Sequence, residues 1–221
     1  MTFLKRAAAA LLATTAVAAF ATTATAQDFK GKSAGDILVR ARIVGAIPQE
    51  KADLTLGGAN IGKGHVENGW TPELDFSYFF TDNIAAELIA GTTRHKIKAS
   101  TILGEVDVGK TWLLPPTLTV QYHFFTKERV SPYVGAGINY SLFYSKSAAG
   151  GVAQSLSLKN RFGWALQAGV DVAVGGPWSI NLDVKKIFVK TDLDVGTPLG
   201  NIHSNVRLDP WVVGVGVGYR F

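Results

Sequence analysis

The chain contains no cysteine, which excludes a disulfide framework and any thiolate metal site. Beyond residue 26 no run approaches the ~20 consecutive apolar residues of a membrane-spanning helix, although 47% of the residues are hydrophobic. No basic cluster is interleaved with aromatics in the manner of a nucleic-acid surface. The four histidines, His65, His95, His123 and His203, are scattered, and none stands four residues from another as helical metal ligands do. The Gly-Val-Gly-Val-Gly run at 214–218 has no helix after it, so it is not a phosphate loop. These gaps leave no expected cofactor, metal or nucleic-acid partner.

What is present begins with a leader. Lys5 and Arg6 precede an apolar stretch from Ala7 to Phe20, and Ala24-Thr25-Ala26 is a small-residue cleavage site. The pattern predicts a signal peptide over 1–26 and a mature domain over 27–221. Its removal lowers the formal charge from +5 by the two cations Lys5 and Arg6, to a mild excess that calls for no polyanionic partner.

From residue 36 onward the hydrophobic period is two, the period of strands. Eight strands are expected: 36–46, 70–80, 84–95, 112–125, 133–143, 161–173, 178–190 and 208–221. Short turns at 81–83, 126–131 and 174–177 alternate with long polar stretches near 47–69, 96–111, 144–160 and 191–207, and strand-like pairs such as Ile187/Val189 and Val206/Leu208 predict that the strands beside the long stretches project past the membrane. That alternation places every turn at one end and every long loop at the other. The fold class is therefore all-β, an eight-stranded antiparallel transmembrane β-barrel with short periplasmic turns and long extracellular loops. An even strand count puts both termini at the turn end, and closure requires 36–46 to pair with 208–221, because an unpaired edge in lipid strands its backbone groups.

The same alternation would also suit a soluble cup with the faces reversed. The aromatics decide against it. Trp70, Phe80, Tyr122, Phe124, Trp164, Trp178, Trp211 and Tyr219 lie toward strand ends on the apolar face, where interfacial girdles sit. The opposite face carries Arg40, Arg42, Glu73, Asp75, Glu87, His123, Asp171, Asp183, Lys185 and Arg220 among glycines and small polar residues. An arginine at the lipid midplane costs roughly 2–4 kcal/mol, whereas inside a narrow barrel it can meet a carboxylate. A lumenal polar network of Arg40, Arg42, Glu73, Asp75, Glu87, His123, Asp171, Asp183 and Arg220 is expected, with His123 the single inward histidine, a hydrogen-bonded filler. On the last strand Val213, Val215 and Val217 then face lipid, and Gly214, Gly216 and Gly218 face a crowded lumen.

Several stretches together resemble one family. They are Thr81-Asp82-Asn83-Ile84-Ala85-Ala86-Glu87-Leu88, Leu114-Pro115-Pro116-Thr117-Leu118 with Gln121-Tyr122, and Ser131-Pro132-Tyr133-Val134-Gly135-Ala136-Gly137-Ile138-Asn139-Tyr140. Ser157-Leu158-Lys159, Gly163-Trp164-Ala165, Arg207-Leu208-Asp209-Pro210-Trp211 and Gly218-Tyr219-Arg220-Phe221 complete the set. This ordered set is similar to the OmpW family of small bacterial outer-membrane proteins. The resemblance implies a narrow hydrophobic channel that helps small apolar compounds across the outer membrane, with a sideways exit between strands into the lipid. It implies an apolar closure within the lumen, and Ile89 stands where one member of that closure is expected. Lys185 departs from it, standing where an aromatic belongs. It further implies that the terminal Tyr219 and Phe221 form the signal read by the barrel assembly machinery.

Pro115 and Pro116 remove two ladder donors and are candidates for a weakened seam, or for a plain bulge beside a long loop. The gate candidates are thus Ile89, Lys185, Pro115 and Pro116. Two other function classes stay open. An adhesive or receptor barrel would bind surface ligands through its loops, and Lys63, Lys96, Lys98, Lys110, Lys146 and Lys159 could meet lipopolysaccharide phosphates. A lipid-modifying enzyme would need a nucleophile and base near the outer rim, where Ser145, Ser147, His95 and His203 are the available residues. No ordered constellation emerges from them, so no catalytic residue is assigned. The expected state is a passive monomer in contact with bilayer, lipopolysaccharide and small hydrophobic solutes.

Overall fold

The computed structural model describes residues 29–221, apart from 48, 50, 57, 58, 67, 68, 102, 103, 152 and 199. The expected signal peptide, 1–26, lies outside the described residues. The segments in chain order are β1 (Ile37–Ile47), β2 (Lys51–Leu56), β3 (Ala59–Val66), β4 (Gly69–Phe79), β5 (Ile84–Gly91), β6 (Thr93–Thr101), β7 (Gly104–Leu114) and β8 (Thr117–His123). They continue with β9 (Val130–Ala148), β10 (Ser155–Leu158), β11 (Arg161–Gly175), β12 (Trp178–Phe188), β13 (Lys190–Thr197), β14 (Gly200–Arg207) and β15 (Trp211–Arg220).

Consecutive segments join into eight antiparallel staves. In the half nearer the turns, β1 pairs with β4, then β5, β8, β9, β11, β12 and β15 follow, and β15 returns to β1. The closing register runs from Leu38↔Arg220 to Ile47↔Trp211, so the first and last strands seal the cylinder as the terminal pattern requires.

The other half corrects one expectation. The long stretches near 47–69, 96–111, 144–160 and 191–207 are not loops but strand hairpins: β2 with β3, β6 with β7, β13 with β14, and the distal part of β9 facing β10. Their Gly, Asn, Ser and Lys content reads as loop because such residues are poor strand formers alone. Continuation of a ladder already started below overrides that preference. The barrel wall therefore extends well beyond the apolar belt.

Side-chain direction follows the alternation. Val213, Val215 and Val217, with Ile43, Leu74, Leu88, Leu118, Val120, Val134, Ile138, Leu166 and Leu182, stand exposed on the outside. Aromatics flank this belt. Tyr78 packs edge-on to Phe80, Tyr122 to Phe124, and Tyr219 to both Trp178 and Phe221 at the turn end. Trp70, Phe162, Trp164, Phe188 and Trp211 ring the other rim. The soluble-cup alternative fails on this point, for Trp164 is 70% exposed while Arg40 is fully buried.

A lumenal cavity above a charged floor

The sequence order places a carboxylate opposite each arginine of β1. Arg40 lies across from Asp75 and Arg42 across from Glu73 on β4. On the other flank Arg40 meets Gly218 and Arg42 meets Gly216 of β15. A Cβ at 216 would stand 2.1 Å from the Ala41 carbonyl and 2.8 Å from the Arg42 Cγ. The terminal glycines leave the volume that the arginine stems occupy.

From this origin a network spans the barrel. Arg40 donates to Asp75 at 2.9 Å, Glu87 at 2.7 Å and Asp171 at 3.0 and 3.1 Å. Arg42 donates to Glu73 at 3.0 Å, Glu87 at 3.2 Å and Asn181 at 2.7 Å. Lys185 donates to Glu73 at 2.6 Å, and its Nζ lies 3.1 Å from Asp183. Lys185 thus joins the carboxylates of the floor rather than rising toward solvent. Tyr133 donates to Asp183 at 2.6 Å, and Gln167 bridges Glu87 and Asp183. Charges buried this deeply are tolerable only when paired and hydrogen-bonded, and each ion here has several partners.

Two expectations change. Arg220 faces inward but stays out of the network; it sits at the turn-end mouth, donating to the Lys30 carbonyl with its Nε 3.6 Å from Asp36. It is the penultimate residue, one step below the ring that Arg40 occupies. In its place stands Lys32, which alternation could not flag because it precedes the first strand. Residues 29–35 turn up into the mouth. Lys32 Nζ donates to Asp171 at 2.8 Å, Ser131 at 3.0 Å and His123 Nδ1 at 2.8 Å. Its backbone amide donates to the Thr126 carbonyl, and Gly31 packs so close that a Cβ would stand 2.8 Å from the Thr126 oxygen. This strap closes the turn end. His123, with Nε2 3.0 Å from Gln121 Oε1, is the expected filler. It is not the single inward histidine, since His95 is also buried and lines the cavity above. Alternation missed it because His95 stands at the edge of the 96–111 stretch, which reads as loop but continues as β6.

Above the floor the inward residues become apolar. Val44, Ala165, Ile187, Val189 and Val212 form one cluster, and Leu54, Ile97, Val108, Phe143, Leu193 and Val206 belong to another within the extended wall. Between floor and upper cluster lies a cavity with about 860 Å³ of non-atom space, counting what opens to solvent. Ile89, Leu113, Pro115, Ile187 and Val212 are among its apolar lining, and Glu73, Lys185, Asn139 and Ser141 among its polar lining. Of the gate candidates, Ile89, Lys185 and Pro115 meet here; Pro116 stands beside them in the wall.

At the height of this cavity the wall is broken. The β5–β8 ladder ends at Ile89↔Thr117 and the β6–β7 ladder resumes at Thr93↔Leu113. Ala90–Thr92 and Leu114–Pro116 face each other without ladder pairs. The proline carbonyls turn the other way: Asn139 Nδ2 donates to Pro115 at 3.1 Å, and the Tyr140 amide to Pro116 at 3.0 Å. The seam toward β9 is thus held, while no ladder pair joins Leu114–Pro116 to Ala90–Thr92. Among the described residues His203 pairs with Asp194, His95 bonds Thr93, and no hydrogen bond joins either to Ser145 or Ser147.

A closed cylinder with lipid-facing aromatics outside and paired ions inside defines a β-barrel protein of the bacterial outer membrane. The chain belongs to the OmpW family, whose model matches residues 33–221. It is 47% identical over 188 residues to an outer-membrane protein of Sinorhizobium fredii, y4mB, covering 83% of this chain and 79% of that one. It is 38% identical over 196 residues to outer membrane protein W of Escherichia coli, covering 85% and 89%. The crystal structure of the outer membrane protein OprG from Pseudomonas aeruginosa superposes with a TM-score of 0.82 at 27% identity, covering 88% of this chain and 99% of that one.

Proposed function

We propose that this barrel gives small apolar solutes a passive path across the lipopolysaccharide leaflet and releases them sideways into the membrane. The observation that carries the reading is the coincidence of three features at one height: an apolar-walled cavity, a closed ionic floor beneath it, and an unpaired seam beside it. A solute descending from the hairpin end meets buried charges whose displacement costs several kcal/mol per ion. The seam at Ala90–Thr92 and Leu114–Pro116 requires no ladder bond to be broken. No energy source enters this scheme, and the protein acts as a monomeric channel without cofactor rather than as an enzyme. The surrounding partners are bilayer lipid and lipopolysaccharide. Tyr219 and Phe221, the latter 71% exposed at the turn-end rim, are the residues offered to the assembly machinery.

The test exploits the absence of native cysteine. Gly91→Cys and Pro115→Cys would be joined by a cleavable bis-maleimide in cells lacking other hydrophobic uptake proteins. Uptake of a long-chain alkane should fall to the empty-vector level and recover on cleavage. Unchanged uptake through the cross-linked barrel would sink sideways release. An untreated barrel no better than empty vector would sink the channel itself.

A further inference from the structure

The outer wall carries a second recess, three seams round the barrel from the break between β5 and β8. The β11–β12 ladder ends at Trp164↔Phe188, and the β10–β13 ladder begins at Leu158↔Leu193. Between them the Lys159 amide still donates to the Asp192 carbonyl, but residues 160–163 and 189–191 form no ladder pairs with each other, and the wall splits into a groove of about 1170 Å³, counting what opens to solvent. Its base is bare backbone at Gly163, where a Cβ would stand 2.5 Å from the Phe188 carbonyl.

The groove has two chemical halves. Its lower half is Phe162, Trp164 and Phe188, exposed at the upper aromatic rim. Its upper half is Arg161, Lys190 and Arg207, with Lys159 beside them. Two carboxylates, Asp192 and Asp209, lie behind. Arg161 donates to Asp192 at 2.5 Å, Lys159 Nζ lies 3.5 Å from the same oxygen, and Arg207 Nε lies 3.7 Å from Asp209. The carboxylate side chains are 13% and 19% exposed, against 49% for Arg161, 57% for Lys159 and 46% for Arg207. The acids orient the cations, and the cationic heads point outward. Four cations over two acids leave a net positive rim directly above an apolar, aromatic shelf.

We infer that this groove binds a phosphorylated glycolipid of the outer leaflet, its acyl chains on Phe162, Trp164 and Phe188 and its phosphate against Arg161, Lys190 and Arg207. Charge complementarity selects an anionic head, and guanidinium forks suit phosphate oxygens in particular. The aromatic shelf sets the depth, since such rings sit at the headgroup boundary. Cations spread along the rim from Lys159 to Arg207 suit a head that carries more than one phosphate better than a single phosphodiester. The inference does not depend on solute transport.

The experiment is retention of lipid by the whole barrel in nanodiscs, read by native mass spectrometry. The probes are bis-phosphorylated lipid A, the same lipid dephosphorylated, and phosphatidylglycerol. Wild type should retain bis-phosphorylated lipid A at least tenfold more than either other lipid. The triple variant Arg161→Gln, Lys190→Gln, Arg207→Gln should lose at least fivefold of that retention. Phe162→Ala with Trp164→Ala, which leaves every cation in place, should weaken all three lipids together. Heat-modifiable gel mobility checks that each barrel is folded. Equal retention of lipid A by wild type and the triple variant overturns the inference, as does phosphatidylglycerol bound as well as lipid A.

Discussion

Gly216 of β15 lies directly across from Arg42 of β1, and the Arg42 stem occupies the space that a side chain at 216 would need. A strand that alternates valine with glycine is thus the mould of the arginine beside it. Gly216→Ala should destabilise the barrel by about 1–3 kcal/mol, the usual cost of overpacking. Urea unfolding followed by tryptophan fluorescence measures it, and a variant as stable as wild type would show that the arginines do not fix the size of the lumen.

Arg40 is fully buried among Asp75, Glu87 and Asp171. Arg40→Met removes the cation that all three share, and the expected loss is about 3–5 kcal/mol. The exposed Lys63→Ala should change stability by no more than about 0.5 kcal/mol under the same unfolding protocol.

Lys32 anchors the strap from inside. Lys32→Met should leave the barrel folded while the amides of Lys32 and Gly35, bonded to the carbonyls of Thr126 and Phe79, exchange with solvent at least tenfold faster. Unchanged protection would mean that backbone bonds alone hold the strap.

Asp82 anchors the strap from outside, accepting from the Ala34 amide at 3.0 Å and lying 2.7 Å from Lys127 Nζ. The hydrogen bond from Lys127, then that from Ala34, hold its carboxyl below the usual carboxylate range. A group depressed on folding stabilises fully above its unfolded value, about 3.9, and that contribution is lost as pH falls through the lower folded value. The Ala34 amide resonance should therefore titrate with a midpoint below about 3.9, and Asp82→Asn should abolish the titration. A midpoint above that value would reverse the sign.

Ile89 is buried at the cavity wall. Ile89→Trp should fill the space and lower alkane uptake at least fivefold in the cellular assay, with the barrel still heat-modifiable. Uptake at the wild-type rate would place the solute path elsewhere.

Much of this arrangement was legible in the chain. Strict alternation from Ile37 to Val44 and from Trp211 to Phe221 sets which residues face lipid, because a strand's period of two is a local property. The short turns at 81–83 and 174–177 set the stave order. That the strands project past the apolar belt was legible at Ile187/Val189 and Val206/Leu208, but the full hairpins were not, since β2, β3, β13 and β14 are made of residues that form strands only when a neighbouring ladder recruits them.

By itself, then, the sequence determined the barrel, its orientation and the ionic character of its interior. Only the tertiary structure decided that Lys32 rather than Arg220 completes the floor, that His95 reaches the cavity, and that the ladder between β5 and β8 stops beside Pro115. Alternation assigns a side chain to a face, but partners across a lumen belong to different staves. Arg40 and Asp171 are 131 residues apart in the chain, and nothing local couples them until the cylinder closes.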